Sequence, residues 1–175
     1  ADAAGVTRGA IYHHFASKAE LFEAMLARAE MPIDMAFDAT RLPVADPLAM
    51  VRDMAVRALR HLASCDRVRN IFEVAFLRCE YTDELGPVER RHLQERAQCL
   101  ALSKGLLDQA VARGQLPADT DARMASHMLY GFIGGLMRDW VQAPDTFDMN
   151  EAAPQAVDLF LAGLRAAPPR RPVSA

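Results

Sequence analysis

An all-α fold is expected from this chain on three grounds. Apolar residues recur at helical spacing nearly everywhere along it. β-Branched residues are sparse, and no alternating run is closed by an Asn-Gly or Asp-Gly turn. Helix starts and stops are well marked by Ser, Asp, Pro and Gly. In order along the chain, Leu21, Phe22, Met25, Leu26 and Ala29 make an amphipathic helix over 18–30. Pro32 kinks or restarts it, because proline lacks the backbone donor. "TRLPVADP" (40–47) reads as a loop, with Asp46 as cap and Pro47 as first residue of a helix over 47–64. Asp66 is expected to cap a helix over 67–80, and "YTDELGPVE" breaks the chain before a long helix over 88–113. Gly114 stops that helix, helices over 121–142 and 151–166 follow, and the tail "AAPPRRPVSA" is expected to fray.

With 175 residues, 51% of them apolar, the chain has ample material for a core. A net charge of −3 excludes a surface coated in positive charge, so any contact with nucleic acid must be local. No charge-free apolar run is long enough to span a membrane, and the first residues carry neither the basic region nor the apolar run of a signal peptide. Cys65, Cys79 and Cys99 are odd in number and widely spaced, so neither a disulfide framework nor a zinc site is expected. A reducing, cytoplasmic setting fits best.

The most informative stretch is "GVTRGAIYHHFASKAELFEAML" (5–26). Gly5-Val6-Thr7 between an Ala-rich helix end and a new helix has the form of a helix-turn-helix: glycine permits the turn, Val6 plugs between helices and Thr7 caps the second. Ala10, Ile11 and Phe15 face inward, while Gly9 and Ala10 are small enough for the backbone to approach base edges in a major groove. Tyr12, His13, His14 and Lys18 are donors suited to phosphates, and Ser17 caps the next helix, whose N-terminus can meet a phosphate too. From Thr7 to Lys18 there are two cations, Arg8 and Lys18, and no carboxylate.

"AGVTRGAIYHHFASKAELFEAML" resembles the helix-turn-helix and following helix of the TetR family of bacterial transcriptional repressors. Capping rules alone do not select Gly-Val-Thr, then Tyr-x-x-Phe, then Lys. Family members carry a helix and most of a second before this point, so the resemblance implies that the chain begins inside the second. It divides the chain into a DNA-binding domain over 1–30 and a ligand-binding and dimerisation domain over 31–175. "FLRCEYTDEL", "ARGQLPADTDA" and "GFIGGLMRDWVQAPDTFD" look like the multidrug-efflux branch, of the AcrR and TtgR type. That likeness implies a repressor of an efflux operon, bound to double-stranded operator DNA as a homodimer and released by hydrophobic small molecules. Matching positions place Met54, Ala58, His61, Phe72, Phe76, Cys99, Tyr130 and Gly134 at the ligand cavity. Phe72, Phe76 and Gly134 stand where polar groups can occur, implying a drier, more aromatic cavity.

Read on their own terms, helices 67–80 and 124–141 are too apolar for one solvated face, Met124 and Met128 included, with Tyr130, His127 and Trp140 supplying polar tips. Nine methionines suit an adaptable lining. The same stripes also fit a plain bundle core, so the cavity rests on the resemblance. "GFIGGL" clusters Gly131, Gly134 and Gly135 in one turn, at about 1 kcal/mol each relative to alanine. Close packing at an interface or room for a ligand must offset that. Gly131 and Gly135, with Phe160, Leu161 and Leu164 on the last helix, are the candidates for a four-helix dimer interface.

No phosphate loop, nucleophile elbow, HExxH or paired carboxylates occur, so no catalysis and no cofactor are expected. His13 and His14 are adjacent, point about 100° apart on a helix and cannot chelate one metal together. A cysteine-based redox sensor, or a repressor of a lipid or catabolic operon on the same fold, stay open as alternatives.

Overall fold

The computed structural model describes residues 13–28, 45–78 and 86–171. Six helices are formed among them: α1 (Lys18–Leu26), α2 (Pro47–Ser64), α3 (Asp66–Glu73), α4 (Gly86–Ala112), α5 (Ala122–Gln142) and α6 (Met149–Ala166). A five-residue π-helical turn, Val74–Arg78, continues α3. Most helix ends follow from local chemistry. Asp46, Asp121 and Asp148 each accept a backbone N–H of the first turn, from Ala49, Met124 and Asn150. Gly114 has φ 72°, and the Gly114 and Gln115 amides donate to the carbonyls of Val111 and Ala110. This paired return closes α4.

Three expectations are corrected. Asp66 is the first residue of α3 rather than its cap; Cys65 holds the cap position without a side-chain bond, and the Asp66 carboxylate instead pairs with Arg69 at 2.6 Å. The helix expected over 67–80 is not uniform, because its α register ends at Glu73. The tail does not fray before residue 171. Pro168 is buried, the Asp121 amide donates to the Pro169 carbonyl and the Arg171 amide to that of Asp119, and Arg170 pairs with the Asp119 carboxylate. Two prolines lower the entropy that this strap loses on docking.

The main core lies between α2, α4, α5 and α6, with Leu59, Leu62, Leu107, Ala125 and Val157 fully buried in it. α2 and α6 pack most extensively, and a proline helps to join them. Pro154 sits inside α6 and cannot donate to the carbonyl of Asn150 one turn earlier. Arg60 of α2 supplies the missing donors, its Nε and terminal nitrogen lying 3.3 and 3.2 Å from that oxygen. Arg52 adds a two-point ion pair to Asp158 at 2.5 and 2.8 Å. A second, smaller cluster holds α1: Ala19, Phe22 and Leu26 are buried with Ile71 of α3 and Val88 of α4.

Candidate functional site

The end of the molecule expected to meet DNA is described from His13 onward; Thr7, Arg8, Gly9, Ala10 and Tyr12 lie outside the described residues. His13, His14 and Lys18 are all exposed, the histidines in helical backbone just before α1. Ser17 Oγ accepts from the Glu20 amide at 3.2 Å, and Glu20 Oε2 accepts from the Ala16 amide at 2.6 Å. This reciprocal cap adds a carboxylate at the head of α1 that the charge count ending at Lys18 leaves out. It answers part of the positive end of the helix dipole and leaves Lys18 and the two histidines exposed beside it. The buried face of α1 has its apolar residues at positions 19, 22 and 26, which seat the helix on α3 and α4.

Positions expected to line the ligand cavity come from α2 (Met54, Ala58, His61), α3 and its π turn (Phe72, Phe76), α4 (Cys99) and α5 (Tyr130, Gly134). All eight are half-buried, neither locked in the core nor open to solvent. On α2 the three recur at i, i+4 and i+7, one face of the helix. Met54, Ala58, Phe72 and Phe76 pack on the main core, and the two phenylalanine rings lie 5.2 Å apart, tilted at 46°. Burial pushes the Cys99 thiol above its ordinary pKa, so it stays protonated at neutral pH. A residue that sequence reasoning missed is Arg96, whose guanidinium lies 5.5 Å from the centre of the Tyr130 ring. Nothing in the linear pattern pairs those two, because their meeting depends on how α4 crosses α5.

A methyl group added at Gly134 would meet no atom within 4 Å, so open space adjoins this half-buried position. Gly131 and Gly135 also have room, but both are exposed. Close packing inside the protomer therefore does not account for these glycines. Elsewhere, an open groove of about 420 Å³ is lined by Lys104, Asp108, Asp121, Ala122, Arg123 and Arg171, and shares no residue with the expected cavity.

The packing of α5 and α6 corrects two further expectations, on the Met124–Met128 lining and on Leu161 with Leu164. Met124 and Met128, read as inner lining, are 42% and 50% exposed. With Gly131 and Gly135 they form one outward stripe at spacings of four, three and four. Trp140, read as a polar tip, spends its indole N–H on the Phe147 carbonyl at 3.2 Å beneath the α5–α6 turn. On α6, Leu161 and Leu164 are 3% and 5% exposed and belong to the protomer's own core, so they are not available to an interface. Leu159, at 73% exposed, faces outward in their place, in register with the exposed Gln155, Ala162 and Ala166. Phe160 is half-buried and stacks on Phe132 at 5.2 Å, joining the two stripes' helices.

Among the described residues, no group of three His, Cys, Asp or Glu side chains could hold a metal ion, and no helix is long and apolar enough to cross a membrane.

Known proteins share this fold and sequence pattern. Residues 1–25 match the family described as bacterial regulatory proteins, tetR family, and residues 46–166 match the C-terminal region of MAATS-type transcriptional repressors. The chain is 35% identical over 175 residues to the HTH-type transcriptional regulator TtgR of Pseudomonas putida, covering 98% of this chain and 82% of that protein. It is 34% identical over 164 residues to the HTH-type transcriptional repressor BepR of Brucella suis, covering 93% and 78%. Among solved structures it resembles NalD, the secondary repressor of the MexAB-OprM multidrug efflux pump in Pseudomonas aeruginosa, with a TM-score of 0.78, 32% identity and coverage of 93% and 81%. The chain belongs to the TetR family of bacterial transcriptional regulators, with the C-terminal region of the MAATS-type repressors.

Proposed function

We propose that this protein is a cytoplasmic repressor that binds a palindromic operator as a homodimer, controls a multidrug efflux operon, and is released from DNA by hydrophobic compounds. It is a binding protein and not an enzyme. The observation that supports the ligand reading is that all eight expected positions are half-buried and that Gly134 has open space beside it, in a chain related to an efflux-pump repressor. Aromatic and thioether groups there suit lipophilic ligands of varied shape, and few polar groups restrict their orientation. A protonated, half-buried Cys99 weighs against a thiol-based redox signal, because the thiolate is the reactive form.

The dimer reading is supported by the paired stripes on α5 and α6. Two methionines and two glycines on one helix, and Leu159 with two alanines on the other, are apolar and exposed at heptad-like spacing. Glycines with free space inside the protomer let a second copy's helices come close. Two-fold symmetry would set two recognition helices about 34–36 Å apart, one turn of duplex. A ligand wedged between α2, α3, α4 and α5 favours a state in which α1 moves and that spacing no longer fits. The coupling is as large as the ligand's preference for that state and no larger.

Fluorescence anisotropy of the full-length protein on DNA from its own upstream region, with a panel of lipophilic antibiotics, flavonoids and dyes, tests this. Tight, salt-sensitive binding relieved by several of them is the expected result. Binding indifferent to all of them refutes drug induction and directs attention to lipid or catabolic metabolites.

A further inference from the structure

Arg96 stands half-buried on α4, so its charge has lost part of its hydration. Among the described residues it makes no ion pair and donates to no acceptor. Glu95 beside it is taken by Arg91 at 2.8 Å. What Arg96 has is the Tyr130 ring, whose centre lies 5.5 Å from the guanidinium carbon. Such a contact offsets part of the lost hydration, but a ring face supplies no lone pairs to a fork of five N–H donors. The same contact sets Arg96 next to positions expected to meet a ligand. Cys99 follows three residues later on α4, on the same side of that helix. Gly134, with open space beside it, lies one turn after Tyr130 on α5. The eight expected positions include two phenylalanines, a tyrosine, a methionine and a protonated thiol, but no carboxylate. An aromatic, apolar set of side chains thus adjoins a positive charge that no described carboxylate answers.

We propose that Arg96 selects the ligand: the site takes aromatic compounds that carry a carboxylate and discriminates against neutral and cationic compounds of the same shape. A carboxylate meets a guanidinium through two parallel N–H···O bonds, a geometry that the ammonium of lysine does not reproduce. The Arg96 charge is partly desolvated before any ligand arrives. An acid that pairs with it replaces the lost hydration, an amide replaces less of it, and an ammonium is repelled. Tyr130 holds the guanidinium against its ring and so fixes where the acid group lies, while the aromatic body of the ligand packs on Phe72 and Phe76. This deepens the reading given under Proposed function, by naming the ligand class, and rests on it.

The test uses the full-length protein without DNA and three probes of one shape, biphenyl carboxylate, biphenyl carboxamide and biphenyl methylammonium, titrated by isothermal calorimetry. Wild-type protein should bind the carboxylate about tenfold more tightly than the amide, and the ammonium most weakly. Arg96→Met removes the charge and keeps an apolar stem. It should bring the carboxylate down to the affinity of the amide and leave the amide where it was. Arg96→Lys should restore only part of the preference. Circular dichroism and thermal unfolding check that both variants are folded. Equal wild-type affinity for carboxylate and amide overturns the proposal without recourse to any variant. A preference that survives in Arg96→Met overturns it too, as does equal loss of both probes there, which would make Arg96 a packing residue. Wild-type protein that takes up none of the three probes and none of the lipophilic panel overturns the cavity reading and this proposal together. Uptake of neutral panel compounds without the carboxylate overturns the proposal alone.

Discussion

The main core and the small cluster under α1 are built from the same kinds of side chain but differ in depth. In the first, Leu59, Leu62, Val68, Leu107, Ala110 and Val157 have no exposed surface at all. In the second, the buried set among the described residues is five side chains, and each keeps between 3% and 8% of its surface in solvent. Hydrophobic stabilisation scales with the apolar area removed from water, so among the described residues the small cluster contributes less to holding α1 than the main core contributes to the scaffold. A switch needs this inequality. The element that moves must come from the low-stability end of the structure, and the element that binds the signal must not unfold with it.

The largest expected effect is in the main core. Leu107→Ala should destabilise the protein by about 3–5 kcal/mol, because a fully buried leucine leaves a cavity that its neighbours cannot fill. Thermal unfolding should show this as a fall of roughly 10 °C for a chain of this size. An unchanged melting temperature would break the distinction between the clusters. Phe22→Ala, in the small cluster, sharpens it: operator affinity should drop at least tenfold while the main unfolding transition moves by only a few degrees. If both fall together, the clusters form one cooperative unit.

Met128→Asp places a charge on the outward stripe of α5, where the wild-type residue is 50% exposed, so the fold should stand and dimerisation should fail in sedimentation equilibrium. An intact dimer would move the interface elsewhere. Lys18→Ala should weaken DNA binding evenly across sequences and reduce the salt slope by about one, since a phosphate contact carries no base information. Weakening confined to one operator sequence would make Lys18 a base reader instead.

The smallest effect is acid sensitivity at the ends of the scaffold. The Ala49 amide and then Gln115 hold the Asp46 carboxyl below its ordinary range, and Arg170 and Arg52 do the same for Asp119 and Asp158. A lowered folded-state pKa contributes stability above the unfolded value, and that stability is lost as pH falls through the folded value. Melting temperature should therefore be flat near neutrality and decline below about pH 4. These carboxylates are exposed, so the decline should be shallow and should shrink further in high salt. A decline that begins near pH 6 would overturn the assignment to these carboxylates.

Much of this molecule can be read along the chain. The all-α architecture, the bounds of α2, the cap at Asp121 and the stop at Gly114 all come from interactions within a few residues, and such interactions are written in local order. The family likeness is legible for the same reason, because "GVTRGAIYHHF" carries it in a short run of neighbouring residues. Orientation is not legible. Met124 and Met128 differ in no local respect from Leu129 and Met137, yet the first pair faces outward and the second is buried. Leu161 and Leu164 are equally ambiguous between a core and an interface.

What the sequence determined by itself is the set of helices, most of their ends and the likeness to a helix-turn-helix family, each set by near neighbours in the chain. Only the tertiary structure decided which face of α5 is outside, that Arg60 answers the carbonyl freed by Pro154, that the tail docks on the α4–α5 turn, and that Phe72 touches both clusters. Those facts depend on residues tens of positions apart meeting in space. Helical periodicity says that a helix has an apolar face, but only packing against its neighbours decides which apolar residues that face will hide.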